Sequence, residues 1–407
     1  MDRPLRVAVV GESYLPYRSG VTIATEALAD GLVAAGHEVL LVVPRPASGH
    51  APRTDGPAPE IAWLPSYQGP PPAPPGYRMP LPIPSAALRR AREFGPDVVH
   101  AQSPFVSGLM GRGLARQTGA ALVFTHHTRF GDYRHYLGPL AGPGAALMQA
   151  YLRRFWAGCA AIVAPSTDLA AEIAESLRRL DGSPRLRPII RAIATGLDLD
   201  VFAALSPVDP RPLSGWPPLS TVVVLVGRLA REKSVDLLVD AFAEAARDNT
   251  NLYLLLVGDG PLRAELAGRA SRPPLAGRMH LTGGLPRLEA LALAAGGDLL
   301  AFASRTETQG LVLAEALACG LPVVALDGPG VGDSVRDGID GVILPRLPGD
   351  STQSAAERLG AAIGAVAADS QRRATLAAGA REGAYRFDLR TRIQEVVTLY
   401  QQVVALG

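Results

Sequence analysis

Two mostly apolar runs, residues 5–10 (LRVAVV) and 221–226 (TVVVLV), each lead through a polar loop into an amphipathic segment. Further apolar runs alternate with helical patterns after both of them. Strands apolar along their whole length are typical of a parallel sheet with helices on both faces. A chain of 407 residues is also long for a single core. The sequence therefore predicts an α/β protein with two Rossmann-like, doubly wound domains.

The domain boundaries follow from a second feature, the distribution of proline. The segment ATGLDLDVF and the proline-rich stretch at 207–220 read as the linker between the domains. We place the first domain at 1–195, the second at 196–386 and a closing helix at 387–407. Residues 44–85 are also rich in proline, with only IAWLP typical of a strand, and are interpreted as a long surface excursion near the cleft between the domains.

Composition narrows the class of protein. Hydrophobic residues make up 48% of the chain and charged residues 19%, which is typical of a globular protein. No apolar run approaches the roughly 20 residues that a membrane span needs. Because the N-terminus enters a strand without the pattern of a signal peptide, we expect a cytoplasmic protein. The net charge is only +2, and the small excess of Arg over acidic residues in the first half is far below that of a nucleic-acid-binding domain. We therefore expect no nucleic-acid partner.

Lys233 is the only lysine among the 40 basic residues. Arginine has replaced lysine elsewhere, so the remaining lysine suggests a position that requires a compact ammonium group. Arg228 and Lys233 both follow the apolar run 221–226, and parallel sheets bind ligands at the carboxyl ends of their strands. Together they could bind a diphosphate.

The segment SRTETQGLVLAEALACG at 304–320 carries a pair of carboxylates. Glu307 precedes a helix expected to begin near Gly310 and to stop at Gly320, and Glu315 lies inside it. The N-terminus of such a helix is suited to bind phosphate. The alternative is that Glu307 is a solvated loop residue and Glu315 lies on the polar face of a surface helix, although the apolar neighbours of Glu315 favour burial with a partner.

A histidine-rich segment, THHTRFGDYRHY, follows the apolar run 121–124. Its position at a strand's carboxyl end favours a functional role for His126 and His127. A hydrogen-bonded core pair and a zinc site are the alternatives, but no set of Cys or acidic ligands accompanies the histidines. The run 145–158, with arginines among aromatics, could lie on an anionic membrane surface or be an ordinary amphipathic helix.

Taken together, the chain resembles family 4 of the retaining glycosyltransferases, which have the two-domain GT-B fold with an interdomain cleft. The motifs that carry the resemblance are VAVVGESYLPYRSGV, ATGLDLDVF, GRLAREKS and the E-x7-E pair Glu307 and Glu315. Two segments depart from the family pattern: Ser19-Gly20 replaces Gly-Gly, and residues 329–333 (PGVGD) replace GG-x-P-E. The family's closing helix usually crosses back to the first domain.

The resemblance implies a role for each matching position. Gly20 would approach the donor phosphate, Arg228 and Lys233 would neutralise the diphosphate, Glu307 and Glu315 would contact the sugar and the ribose, and His127 would lie against the transferred sugar. The expected catalytic residues are His127, Arg228, Lys233 and Glu307. The remaining expected donor contacts are Thr282, Gly283, Thr308, Gln309, Gly310 and Leu311.

The implied reaction is transfer of a hexose from a nucleoside diphosphate sugar, with UDP-glucose favoured and configuration retained. Cationic side chains would replace a metal, so we expect no metal and no cofactor. PYRSGV and FTHHTRFGDYRHY resemble the bacterial enzymes that glycosylate diacylglycerol, which implies a lipid acceptor and a peripheral position on the inner membrane face. The resemblance also makes Tyr133 and His135 candidates for the acceptor side. A soluble acceptor is the alternative, followed by a nucleotide-sugar epimerase and a protein that only binds the donor.

Overall fold

The computed structural model describes residues 3–47, 57–70, 76–129, 141–179 and 188–406. It divides into two compact units, Met1–Gly196 with Leu389–Gly407, and Leu197–Asp388. These boundaries lie within two residues of the ones expected from the sequence.

The elements of the first unit alternate between strand and helix along most of its length. They are β1 (Arg6–Val10), α1 (Gly20–Ala34), β2 (Glu38–Pro44), β3 (Glu60–Leu64), β4 (Ser66–Gln68), β5 (Arg78–Pro80), α2 (Ala86–Phe94), β6 (Val98–Ala101), α3 (Val106–Thr118), β7 (Ala121–Thr125), α4 (Ala141–Trp156), β8 (Ala161–Ala164), α5 (Thr167–Arg178) and β9 (Ile189–Ala192).

The second unit repeats the alternation, and a final helix returns to the first unit. The elements are α6 (Leu199–Ala203), α7 (Pro210–Ser214), β10 (Thr221–Val226), α8 (Val235–Asp248), β11 (Leu252–Val257), α9 (Arg263–Ala270), β12 (Met279–Gly283), α10 (Arg287–Ala295), β13 (Leu299–Phe302), α11 (Leu311–Ala318), β14 (Val323–Leu326), α12 (Val331–Ser334), β15 (Gly341–Leu344), α13 (Thr352–Ala368), α14 (Ser370–Ala384) and α15 (Leu389–Leu406).

Both units are built on a parallel sheet, which confirms the predicted fold class. The first sheet has the order β3-β2-β1-β6-β7-β8-β9 and the second the order β12-β11-β10-β13-β14-β15. In each sheet the chain builds outwards from one central strand and then returns to that strand's other side. This reversal lies between β1 and β6 in the first unit and between β10 and β13 in the second. Doubly wound sheets bind ligands in the crevice at such a reversal.

The first sheet is covered on both faces, because successive side chains of each strand point to opposite sides. In β1, Val7 and Val9 pack with α1 and α15, whereas Ala8 and Val10 join the cluster that contains Phe155. Helix α15 lies against α1, where a Cβ on Gly31 would be 2.5 Å from Cγ1 of Ile393. The closing helix therefore belongs to the core of the first unit.

The proline-rich region at 44–85 contains more structure than the sequence indicated. Glu60–Leu64 adds a parallel edge strand beside β2, and β4 and β5 form a separate antiparallel pair. The sequence indicated only the first of these strands, because β4 and β5 are three residues long and β5 ends at a proline. Proline is tolerated in edge strands, where one side of the backbone needs no partner.

The second sheet is packed mainly by α8 and α13 on one face. The hydrophobic cluster on this face contains Val223, Leu254 and Leu299 of the sheet. Phe242 of α8 and Ile363 of α13 belong to the same cluster. None of the helices within the described ranges combines the length and the apolar character that a bilayer span requires.

Candidate active site

The loops that follow β10 and β13 meet at the reversal of the second sheet. Lys233 ends a short 3₁₀ helix after β10, and Glu307 lies in the loop after β13. The Lys233 Nζ atom is 2.6 Å from Glu307 Oε1, with exposed side-chain fractions of 32% and 15%. The hydroxyl of Thr306 also donates to the backbone oxygen of Glu232, at 3.2 Å. The structure thus brings together two residues separated by 74 positions in the sequence.

Arg228 supplies a second cation on the β10 loop. Its side chain is 57% exposed, and its Nη1 atom lies 3.6 Å from Oε1 of Glu232. This ion pair is longer than a charge-assisted hydrogen bond, and most of the guanidinium surface faces solvent. Arg228 and Lys233 therefore place two positive charges on one loop, as a diphosphate site requires.

Two glycines that the sequence analysis did not single out support the Arg228 loop. A Cβ on Gly258 would lie 1.9 Å from the Gly227 carbonyl oxygen, and one on Gly260 would lie 2.3 Å from that of Leu229. The backbone N–H of Leu229 also donates to the oxygen of Asp259 at 2.9 Å. The segment GDGP after a buried strand is the sequence signal for this close packing of backbone on backbone.

Helix α11 begins directly after Gly310, which confirms the predicted start of the helix. Gly310 has a φ of 73°, and no side chain caps the helix's first turn. Leu311 is its first residue, and Thr308 and Gln309 precede the cap. The N–H groups of the helix's first turn and the positive end of the helix dipole lie close to Glu307 in the chain, where they can act on an anion.

Glu315 is buried inside α11 and has a partner on α10. Its Oε1 accepts from Nη2 of Arg287 at 2.7 Å, and 12% of its side chain is exposed. Burial raises the pKa of Glu315, while Arg287 acts in the opposite direction. The sequence predicted a buried, partnered carboxylate but not the partner, which lies 28 residues away.

The turn at 329–334, whose sequence departs from the family pattern, packs against the backbone of Gln309. Gly330 has a φ of 73°, and a Cβ there would lie 2.9 Å from the Gln309 backbone. The Ser334 hydroxyl donates to the Gln309 carbonyl oxygen at 2.8 Å. The turn therefore supports the loop that carries Glu307, a role that the sequence analysis left open.

Thr282 and Gly283 end β12 on the same edge of the sheet. Strand β11 separates β12 from β10, so these residues lie two strands away from the Lys233 loop. The hydroxyl of Thr282 donates to the oxygen of Gly283 at 2.8 Å. A Cβ on Gly283 would lie 2.9 Å from Nη1 of Arg263. The two residues therefore border the site and do not belong to its charged centre.

In the first unit, His127 follows β7 at the corresponding edge. Its Nε2 donates to Oε1 of Gln102 at 2.7 Å, and burial lowers its pKa to about 4. His126 is more deeply buried, with its ring edge-on to Phe124 and Trp156. His127 is therefore a neutral imidazole at the sheet edge, whereas His126 belongs to the core.

Gly20 is the first residue of α1, after the N-cap Ser19. The Ser19 hydroxyl accepts from Thr22 N at 3.2 Å, and Thr22 Oγ1 accepts from Ser19 N at 2.8 Å. A Cβ on Gly20 would meet nothing within 4 Å. The backbone here does not itself require glycine, so open space beside the helix start is the feature that a ligand could use.

The acceptor-side candidates Tyr133 and His135 lie outside the described residues. Within the described ranges, no group of three or more His, Cys, Asp or Glu side chains is arranged to hold a metal ion. Cys159 and Cys319 are unpaired thiols.

Two family models match the chain, one in each unit. "Glycosyltransferase Family 4" matches residues 18–200, and "Glycosyl transferases group 1" matches residues 220–363.

Among curated proteins, the alpha-monoglucosyldiacylglycerol synthase of Acholeplasma laidlawii is 29% identical over 84% of this chain and 85% of its own. The GDP-mannose-dependent alpha-mannosyltransferase of Mycobacterium tuberculosis (strain CDC 1551 / Oshkosh) is 32% identical over 84% of each chain.

Among solved structures, sucrose-phosphate synthase from Thermosynechococcus elongatus superposes with a TM-score of 0.72 at 22% identity, covering 100% of both chains. Anabaena HepE in complex with UDP superposes with a TM-score of 0.69 at 20% identity, covering 97% of this chain and 99% of that one. These neighbours share the GT-B fold. With the sequence matches to both units, they show that the chain belongs to family 4 of the glycosyltransferases.

Proposed function

We propose that this glycosyltransferase transfers glucose from UDP-glucose, with retention of configuration and without a metal, to the hydroxyl of a membrane lipid such as diacylglycerol. The observation that carries the donor half is the meeting of Lys233 and Glu307 at the reversal of the second sheet, beside the start of α11. Cations and helix N–H groups suit a diphosphate, and a carboxylate suits sugar hydroxyls.

The chemical step requires stabilisation of the departing diphosphate. As the bond between sugar and phosphate breaks, negative charge grows on the leaving group, and Arg228, Lys233 and the N-terminus of α11 would stabilise it electrostatically. Glu307 would hold the sugar while its ring gains oxocarbenium character. The acceptor oxygen then attacks from the face that the diphosphate leaves, and the leaving phosphate takes the acceptor's proton.

The lipid acceptor is supported by relatives. The synthases of Acholeplasma laidlawii and Streptococcus pneumoniae (strain ATCC BAA-255 / R6) that match this chain are named for glucosylated diacylglycerol. The excess of Arg in the first half and the exposed Arg154 near the end of α4 would suit an anionic surface. Phe155 and Trp156 of the same helix lie in the core, as in an ordinary amphipathic helix. Such a protein would act as a peripheral membrane enzyme on the cytoplasmic face.

A second candidate is mannose transfer from GDP-mannose. The relative in Mycobacterium tuberculosis is slightly more similar in sequence and is named for that donor. Both candidates would use the same diphosphate site, because the cations contact phosphates and not the base. They differ in the sugar, the base and the acceptor.

The test is nucleotide release by the purified protein with UDP-glucose, UDP-galactose and GDP-mannose, with and without anionic vesicles containing diacylglycerol, and in the presence of EDTA. UDP release that requires both UDP-glucose and the vesicles, with a glucolipid as product, is the expected result. GDP release with a mannosylated product would favour the second candidate. Loss of activity in EDTA that returns with added metal would contradict the metal-free mechanism.

A further inference from the structure

Glu12 is a buried carboxylate at the reversal of the first sheet. It follows β1, is 6% exposed, and its Oε2 accepts from the backbone N–H of Ser107 at 2.8 Å. Its Oε1 is fully buried and has no hydrogen-bond partner among the residues that the structure describes. Because buried polar atoms are nearly always paired, an unpaired carboxylate oxygen in this position suggests a missing ligand.

Two further polar side chains with an unpaired atom lie between the end of β6 and the first turn of α3. Gln102 follows β6, is 3% exposed and uses its Oε1 to accept from His127, while its amide nitrogen has no partner within the described part of the chain. The buried hydroxyl of Ser107 is likewise unpaired there. The loops are adjacent, since the N–H of Gln102 donates to the carbonyl oxygen of Val10 at 2.9 Å. The start of α3 therefore places the Ser107 hydroxyl beside Glu12, whereas Gln102 lines a cavity together with His127 and Ile393.

Aromatic side chains surround the carboxylate. Burial, and then the nearby Glu12, raise the pKa of Tyr77 to about 12. The Tyr77 ring lies edge-on to Tyr17, with centroids 5.1 Å apart. Tyr151 of α4 stacks on Phe105, which precedes α3, with ring centroids 6.1 Å apart. Apolar walls around a few polar atoms are typical of a small-molecule site.

The two units repeat the same topology, and this suggests how the roles are divided. In the second unit, the loops at the reversal carry the cations and carboxylate suited to a donor. In the first unit, the loop after β1 carries the exposed Arg18, but the hydrogen-bond partner of the buried Glu12 is the backbone N–H of Ser107 and not an arginine or lysine. A neutral ligand rich in hydroxyl groups fits this site better than a phosphate does.

We propose that Glu12 binds the acceptor substrate: its Oε1 accepts a hydrogen bond from an aliphatic hydroxyl of the acceptor's head group, and the hydroxyl of Ser107 bonds an oxygen of the same ligand. The ligand class is a glycerol-like or other polyol head group, with its carbon faces against the tyrosines. This inference rests on the proposed glycosyl transfer.

The test compares Glu12→Gln with the wild type by steady-state kinetics, using dioctanoylglycerol in mixed micelles and UDP-glucose. The glutamine keeps the shape and an oxygen for the Ser107 N–H but loses the charge. We expect kcat/KM for the acceptor to fall by about tenfold or more. The KM for UDP-glucose and the affinity for UDP should change less than about twofold, because Arg228, Lys233 and the start of α11, which would bind the diphosphate, lie on the second unit.

Asp97→Asn is the matched control. Asp97 is a carboxylate of the same unit that accepts from the N–H of Arg6 at 2.8 Å, but it precedes β6 and lies at the opposite edge of the sheet. The Asp97→Asn substitution should leave kcat/KM for the acceptor unchanged. Ser107→Ala keeps Glu12 and its backbone bond, so it tests the site if Glu12→Gln does not fold, and it should also raise the KM for the acceptor.

The outcomes separate this inference from the proposed function. Transfer by the wild type with a selective loss for the acceptor in Glu12→Gln supports both. Transfer with unchanged acceptor kinetics in Glu12→Gln and Ser107→Ala overturns the inference alone. If the wild type transfers sugar to no hydroxyl acceptor, whether diacylglycerol, glycerol or inositol phosphate, the proposed function fails and the acceptor site fails with it.

Discussion

The Nζ atom of Lys233 lies 2.6 Å from Oε1 of Glu307, and this pair joins the loops that follow β10 and β13. The two residues come from strands that are neighbours in the sheet but 74 residues apart in the chain. Since Lys233 retains 32% exposure, its ammonium group can contact a ligand while it holds Glu307 in place. In the proposed mechanism the pair would therefore connect the binding of phosphate with that of the sugar.

Lys233→Ala should abolish most donor turnover while the protein folds normally. The substitution removes a cation from the growing charge of the leaving group, an effect on the order of 100-fold to 1000-fold in rate. Nucleotide release would measure the loss, and circular dichroism and thermal melting would check the fold. Arg231→Ala is the matched control, because Arg231 is an exposed cation in the same 3₁₀ helix. Rates near those of the wild type for Lys233→Ala would contradict the diphosphate assignment.

Arg287→Ala should destabilise the second unit, because Glu315 would stay buried without its cation. Removing one partner of a mostly buried pair costs roughly 2–4 kcal/mol in the free energy of unfolding. Chemical denaturation at pH 8 would measure it. The double variant Arg287→Met/Glu315→Gln should recover much of the loss, since it leaves no unpaired charge.

The same variant should have a characteristic pH dependence. Burial raises the pKa of Glu315 above its unfolded value, and loss of Arg287 removes the opposing effect. The folded state then binds the proton more tightly than the unfolded state, so stability falls as pH rises from the unfolded pKa through the folded one. Arg287→Ala should be less destabilised relative to wild type at pH 5 than at pH 8. An equal loss of stability at pH 5 and pH 8 would show that the loss does not come from the buried, unpaired carboxylate of Glu315.

Gly330→Ala should weaken donor binding through the loop at Gln309. A Cβ at position 330 would require a left-handed φ of 73° and would approach the Gln309 backbone to 2.9 Å. Steric strain at such a position costs on the order of 1–3 kcal/mol. Calorimetric titration with UDP would measure the affinity. Gly332→Ala provides the control, because a Cβ there meets nothing within 4 Å. Equal affinities for UDP in the two variants would show that the turn at 329–334 does not contribute to donor binding.

His127→Ala should reduce sugar transfer more than it reduces binding of the donor. If His127 lies against the transferred sugar, its loss misplaces the reacting carbon, and a loss of about 10-fold to 100-fold in kcat is expected. Because burial lowers the pKa of His127 to about 4, NMR should show its ring protons unchanged between pH 6 and 8. Intact transfer in the variant would move the sugar-side role to another residue.

The strands and the residues at their ends were predictable from sequence, whereas the side-chain partners were not. Buried parallel strands are apolar along their length, so β10 and β13 could be read directly, and Lys233 and Glu307 follow because ligands collect at carboxyl edges. Arg287 could not be predicted as the partner of Glu315, because hydrophobic periodicity does not specify which side chain of a neighbouring helix forms an ion pair with a buried carboxylate. Glu12 was missed because nothing local distinguishes it from an ordinary loop acid, and its significance comes from burial.

Tyr400 fixes α15 to the first unit through a buried chain of hydrogen bonds. Its hydroxyl hydrogen-bonds Nδ1 of His100 at 2.6 Å, and Nε2 of His100 hydrogen-bonds Oγ1 of Thr125 at 2.7 Å, all buried. Tyr400→Phe would leave a buried imidazole nitrogen unpaired, at a cost of about 1–3 kcal/mol. Denaturation monitored by fluorescence would measure the change in the free energy of unfolding. Phe387→Leu, a buried aromatic outside this hydrogen-bonded chain, would show the cost of altered packing alone.

Burial also lowers the pKa of His100 to about 3, so the folded state disfavours its protonation. Between that value and the unfolded pKa of about 6.5 the unfolded state binds more protons. This contribution to stability is fully present above about pH 6.5 and is lost as pH falls towards 3. The wild type should therefore lose stability progressively from pH 7 to pH 4. His100→Gln should flatten this profile, whereas an unchanged slope would assign the acid sensitivity to His126 and His127, whose pKa values burial also lowers.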